Sequence, residues 1–205
     1  MNNIPTNDEI ENQKALIGEF IINYEQICSF IRFTIINFFY PDPTSIQNNN
    51  IEILLEGMTA DPLRKKLKAL IHDNFQSENE LLDLNKKLSE KFEQMLSIRN
   101  SIVHGSLFLG WNNFNGDLSA ETFFLKHVKL TKNGIDKNSM IINVDTIKAL
   151  IKQIYLINNA YSTLSILTTI KDIEPETKKT YLKYLKDTIN NIGQIKLDYK
   201  DKLIK

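Results

Sequence analysis

The sequence predicts a mainly α protein: an antiparallel helical bundle with a small inserted β-hairpin or meander. Three observations carry this expectation. Apolar residues recur at three- and four-residue spacing over long stretches of the chain. Within residues 106–144 the pattern changes to short strand-like runs separated by Asn and Gly. Proline and capping residues stand at the joins between the periodic stretches. At 205 residues the chain is long enough to bury a core as a single domain, 1–205, with 106–144 as the insertion.

From about Asp8 to Tyr40, a stripe of Leu16, Phe20, Tyr24, Ile27, Ile31, Ile35 and Phe38 predicts one long helix. Its second half is apolar nearly all round, because Phe30, Phe33, Ile36 and Phe39 lie off that stripe. Such a helix must be covered on more than one side, by helices of its own chain or by a second subunit. Pro41-Asp42-Pro43 ends it, Ser45 to Asn50 reads as a polar loop, and Ile51 to Met58 as a short helix. Asp61-Pro62 reads as an N-cap followed by the first helical residue. The helix it opens carries Arg64, Lys65, Lys66 and Lys68, which read as a solvated basic face.

Ser77 and Glu80 match a capping box and predict a helix running to His104, with Gly105 as a left-handed stop. Leu81, Leu84, Leu88, Phe92, Met95 and Ile102 form its buried arc. Leu107 to Trp111, Thr122 to Leu130 and Met140 to Val144 read as strands. Turn chemistry parts them at Asn112-Asn113, Asn115-Gly116-Asp117 and Asn133-Gly134. Asp145 then caps a helix of about Thr146 to Thr169, with Ile147, Leu150, Ile151, Ile154, Ile157, Tyr161 and Leu164 inward. A last amphipathic helix follows Glu174-Pro175 and runs to about Asn191, before a loosely held lysine-rich tail.

Composition narrows the function. Basic and acidic residues balance at 25 each, so bulk charge does not draw the chain to nucleic acid and any such contact needs a local patch. Cys28 is the sole cysteine; it suits a reducing cytosol and reads as a small buried hydrophobe. Residues 1–13 are polar and acidic, unlike a signal peptide. The run from Ile27 to Phe39 is too short to span a bilayer and carries Arg32 and Asn37. A cytoplasmic protein with no membrane partner is expected. Three histidines and one cysteine do not form a zinc pattern, and seven glycines supply no phosphate loop, so no metal and no cofactor are expected.

The chemistry concentrates in Ile98-Arg99-Asn100-Ser101-Ile102-Val103-His104-Gly105. At about 100° per residue, Glu93, Ser97, Asn100 and His104 share a narrow polar ribbon. Asn100 and His104, four apart, are placed to hydrogen-bond, which would fix the imidazole's orientation and tautomer. Arg99 falls about 140° away from His104, among apolar positions. A guanidinium there needs a carboxylate (Glu19 and Glu25 are candidates), an escape to water past the helix end, or a groove that admits phosphate. Because the two side chains diverge on one helix, a substrate meets both most readily where two copies pack about a two-fold axis.

Arg99-Asn100-x-x-x-His104 at the end of a bundle helix resembles the HEPN superfamily, whose signature is Arg, four to six residues, then His, commonly with a polar residue after the Arg. The wording of the motif looks like bacterial members, including toxins and phage-defence proteins. The resemblance covers the motif helix closely and the first helix by shape; residues 106–144 would be a family-specific insertion. It implies a metal-independent endoribonuclease acting as a homodimer on an RNA substrate, with a cognate antitoxin or a nucleotidyltransferase as partner. His104 would be the general acid/base, Arg99 would stabilise the phosphorane-like transition state, and Asn100 would orient His104 or the phosphate. Products would carry a 2′,3′-cyclic phosphate and a 5′-hydroxyl.

Other readings stay beside this one. His104 at the negative end of its helix dipole is also a good cap, with Arg99 in a buried ion pair. The chain would then be a non-catalytic HEPN module that binds a partner protein or nucleotide, or a structural dimerisation domain. His72 reads as another helix-end residue and His127 as a surface strand position. Trp111, Phe114, Phe123 and Phe124, with Lys126 and Lys129, form either a base-stacking platform or, the heavier reading, packing of the hairpin.

Overall fold

The computed structural model describes residues 4–40, 46–111, 117–131, 134–170 and 172–193, without the side chains at 46–49, 127–131 and 134–138. Among the described residues six helices and three strands follow in order: α1 (Asn7–Phe39), α2 (Ile46–Leu55), α3 (Ala60–Asn74), α4 (Asn79–His104), β1 (Ser106–Trp111), β2 (Leu118–Thr131), β3 (Gly134–Asn143), α5 (Val144–Thr169) and α6 (Pro175–Asn191). The protein is therefore mainly helical with one small antiparallel sheet, in strand order β1-β2-β3: a meander.

Local chemistry explains the helix ends, in places differently from the sequence expectation. A capping box forms at Thr6 and Glu9: the Glu9 carboxylate accepts from the Thr6 N–H at 2.7 Å and the Thr6 hydroxyl accepts from the Glu9 N–H at 3.3 Å. The box expected at Ser77 is displaced. Ser77 lies in a turn, α4 starts at Asn79, and Glu78 supplies the carbonyl that accepts from Leu82. α2 starts at Ile46, so it absorbs most of the expected polar loop. The N-cap of α3 is Thr59, two residues before the expected Asp61, whose carboxylate is engaged elsewhere. α5 begins at Val144, which places Asp145 in its first turn rather than at the cap. α6 opens at Pro175, one residue before the expected start, with Glu174 at the N-cap. The expected turns at 112–116 and 132–133 and the tail from 194 lie outside the described residues.

The chain forms two compact units, to both of which α1, α4 and α5 contribute. The second unit comprises the described residues of Asn23–Leu96 and Gln153–Gln194. Its core includes Tyr24, Ile27, Ile31, Leu63, Leu67, Leu88, Ile154, Ile157 and Leu185. Tyr24 stacks on Phe92 at 5.4 Å, and Phe92 meets Tyr161 edge-on at 5.6 Å. Burial pushes the Tyr161 phenol well above its ordinary value. Cys28 is buried, as its apolar neighbours predict. Arg64 departs from the expected solvated face: it is only 7% exposed and is ringed by Asp61 at 2.6 Å, the Ser89 hydroxyl at 2.9 Å and Glu93 at 3.3 Å. A guanidinium persists in such a place because its donors are met by carboxylates and a hydroxyl. The apolar coat of α1 is incompletely covered, with Phe33 53% and Phe39 50% exposed.

The first unit comprises the described residues of Met1–Ile22 and Ser97–Lys152. One face of its sheet is core: Phe123, Leu125, Met140 and Ile142 alternate inward and are almost fully buried. Gln13 on α1 is also fully buried, and binds the sheet backbone. Its Nε2 donates to the carbonyls of Ala120 at 2.7 Å and Thr122 at 3.2 Å, while its Oε1 accepts from the Gly110 N–H at 2.8 Å. Gly110 sits at φ +71°, where the β1–β2 register shifts between Leu109 and Trp111. A side chain there would adopt a costly left-handed backbone and collide with Ile10 at 2.7 Å.

Candidate functional site

The last two turns of α4 carry Arg99, Asn100 and His104, anchored by Ile98 and Ile102, both buried. The Ser101 hydroxyl donates back to the Ser97 carbonyl at 3.0 Å, and the Gly105 N–H donates to the Ser101 carbonyl at 3.0 Å to close the final turn. Gly105 does not stop the helix by a left-handed backbone, as expected; among the described glycines only Gly57 and Gly110 have positive φ. It is needed for close approach. A Cβ at this position would lie 2.5 Å from Leu125 Cδ1 on β2 and 2.6 Å from the Ser101 carbonyl oxygen.

Arg99 and Asn100 are half-buried, and His104 is exposed. Arg99 Nη1 donates to Asn100 Oδ1 at 3.3 Å. The expected Asn100–His104 pairing is thus replaced by one in which the carboxamide oxygen serves the neighbouring guanidinium. A charged donor binds that oxygen more strongly than a neutral imidazole would. Glu93, on the same polar ribbon in the sequence, is committed to Arg64. Within one chain the structure joins Arg99 to Asn100 and leaves His104 on the solvent side of the helix end.

Among the other candidates, His72 is exposed beside Asp73 at 3.5 Å, and the His127 side chain lies outside the described residues. Phe123 and Phe124 are buried and not open rings, so the packing reading holds for both. Phe114 and the Lys129 side chain lie outside the described residues. Two residues escape the sequence reading. Phe108, whose ring lies 5.4 Å from Trp111 and 6.0 Å from Phe124, is hidden by its place in a continuous apolar run. Gln13 reads as one polar residue among many at a helix start; its position three residues before Leu16 on the inward stripe is the only signal.

Among the described residues no group of three His, Cys, Asp or Glu side chains is placed to hold a metal ion, and no helix is long and apolar enough to cross a membrane. Comparison with family models, with curated proteins and with solved structures finds no match to this chain.

Proposed function

We propose that this protein is a metal-independent endoribonuclease of the HEPN type, a cytoplasmic homodimer that serves as a toxin or phage-defence effector restrained by a cognate partner. The observation that carries the reading is the end of α4: an exposed imidazole one turn beyond a joined Arg99–Asn100 pair. RNA brings its own nucleophile. His104 accepts the 2′-hydroxyl proton as that oxygen attacks phosphorus, or donates a proton to the 5′-oxygen as the P–O5′ bond breaks. Arg99 neutralises the charge that builds on the phosphorus oxygens, and Asn100 holds the guanidinium in place as a positioning residue. A second copy of the chain, bound about a two-fold axis, would bring its own Arg99 toward the first chain's His104. The exposed phenylalanines of α1 support self-association. The test is cleavage of purified RNA by wild type and His104→Ala with metals chelated, with the product ends identified. Equal cleavage by both proteins overturns the assignment of His104.

A non-catalytic module that binds a partner protein is the second reading. It is favoured by an open, largely apolar hollow of about 340 Å³ lined in part by Phe39, Ile51, Leu54 and Met58. Absence of cleavage by wild type under the same conditions would select it.

A further inference from the structure

The apolar hollow of about 340 Å³ lies within the second unit, where the last turns of α1, the end of α2 and one face of α3 surround it. Ile35 and Leu55 are its buried lining. On α3 the lining residues are Lys66, Ala69, Leu70 and Asp73, whose three- and four-residue spacing makes a single helical face. From Lys66 to Asp73 that face runs for about 10 Å, or about two helical turns.

Two contacts fix the walls. Arg32 of α1 donates from Nη2 to the Met58 carbonyl at 3.0 Å, and the Met58 N–H donates to the Leu55 carbonyl at 3.2 Å. The turn that ends α2 is thereby tied to α1. Phe38 of α1 meets Phe75, just beyond α3, edge-on at 6.3 Å. The apolar surface continues past the hollow: Ile53 is 70%, Leu54 67% and Phe39 50% exposed. Ile53, Leu54 and Leu55 are consecutive, so they cover about 200° of a short helix that buries only Leu55 among them. A helix apolar over that much of its circumference needs cover on a second side.

We infer that this groove takes one amphipathic α-helix of a partner protein, lying along α3, with two turns of apolar residues in the hollow, an acidic residue at Lys66 and a basic one at Asp73. The inference rests on the partner-binding reading and names the chemistry of the partner; it holds whether or not the chain also cuts RNA. The walls are helix faces, whose backbone groups are paired within each helix. An extended peptide finds no edge to bond there, whereas a helix arrives with its own backbone satisfied. The exposed apolar surface reaches Ile53, outside the hollow, and so is wider than a small apolar molecule would cover. Lys66 and Asp73 are exposed at opposite ends of the face, a charge order that one helix with an acid before its apolar turns and a base after them complements. Asp73 has the exposed His72 beside it at 3.5 Å, a solvated pair that contributes little by itself.

The probe is a labelled synthetic peptide of about 16 residues, with leucines at i, i+3, i+4 and i+7, glutamate before them, lysine after them, and alanine and glutamine elsewhere. Its anisotropy should rise saturably with the full chain, and its circular dichroism should gain helix on binding. Ala69→Trp, which fills the hollow from an exposed position, and Leu54→Glu should each weaken binding about tenfold. Lys66→Glu should weaken it about threefold, less so at high salt. Ile22→Glu, at an exposed residue that does not line the hollow, should bind as wild type. All four positions are exposed, so thermal unfolding should be unchanged, and Lys66→Glu decides the matter if a bulkier change disturbs the fold. No saturable binding, binding without gain of helix, or equal binding by wild type and the three groove variants overturns the inference. So does tighter binding of dodecanoate than of the peptide, which makes the occupant a lipid chain. A wild-type oligomer that Leu54→Glu dissociates overturns it too, by making the occupant a second copy. RNA cleavage measured in parallel separates the two ideas. A chain that binds the peptide and cuts RNA keeps the groove and sinks the non-catalytic module. A chain that does neither keeps the module and sinks the groove.

Discussion

The backbone N–H of Gly110 donates to the side chain of Gln13, which in turn donates to the carbonyls of Ala120 and Thr122. One buried carboxamide therefore satisfies three backbone groups at an irregular point of the sheet, where the ladder cannot. Gln13→Leu keeps the volume but leaves those groups without a partner, and should cost about 2–4 kcal/mol. Gln13→Glu should be worse at neutral pH, because a carboxylate would face two carbonyl oxygens, and should recover partly in acid. Urea unfolding followed by Trp111 fluorescence measures both.

Gly105→Ala should lower stability by about 1–3 kcal/mol, since the new Cβ meets both Leu125 and the Ser101 carbonyl. The leucine can yield and the backbone oxygen cannot. Combining it with Leu125→Ala should therefore cost less than the sum of the two variants, with part of the clash remaining. A double-mutant cycle in denaturant checks this.

His104 is exposed, so His104→Ala should alter stability by less than about 0.5 kcal/mol and, on the proposed nuclease reading, should abolish RNA cleavage. Arg99→Lys keeps the charge but not the planar fork that binds Asn100 and that, on the proposed mechanism, would bind phosphate; on that reading it should lower kcat by about 100-fold. Loss of cleavage with intact thermal unfolding is the pattern to look for.

The Lys65 and Arg64 side chains beside Asp61 hold its carboxyl below the ordinary carboxylate range. A depressed value in the folded state stabilises the protein above the unfolded-state pKa of about 3.9, and that contribution is lost as pH falls through the lower folded value. Wild type should therefore lose more stability than Asp61→Asn over this acid interval. At neutral pH the substitution should cost about 1 kcal/mol, a modest figure because a third of the carboxylate side chain is exposed. Thermal unfolding as a function of pH compares them.

Much of the fold is legible in the sequence, because long amphipathic stretches dominate it. The inward stripe of α5 from Ile147 to Leu164 and the arc of α4 from Leu81 to Ile102 are all buried as their spacing demands. The errors gather where short polar side chains choose among several backbone partners. Asp61 reads as a cap but gives its oxygens to Arg64 and Lys65. Ser77 reads as a cap but lies in the turn before α4. Arg64 reads as solvated because two of its partners, the Ser89 hydroxyl and the Glu93 carboxylate, lie far along the chain. At the site, the motif order determines which residues share the end of α4. Long-range register, which periodicity does not encode, brings Lys126 opposite Ser106.

The passage from α4 to β1 through a single residue leaves no slack between the imidazole and the sheet. One amino acid inserted after Gly105 would invert β1: Leu107 and Leu109 would turn outward, and the ring of Phe108 would be driven into the core. Length at this join is thus as tightly specified as identity.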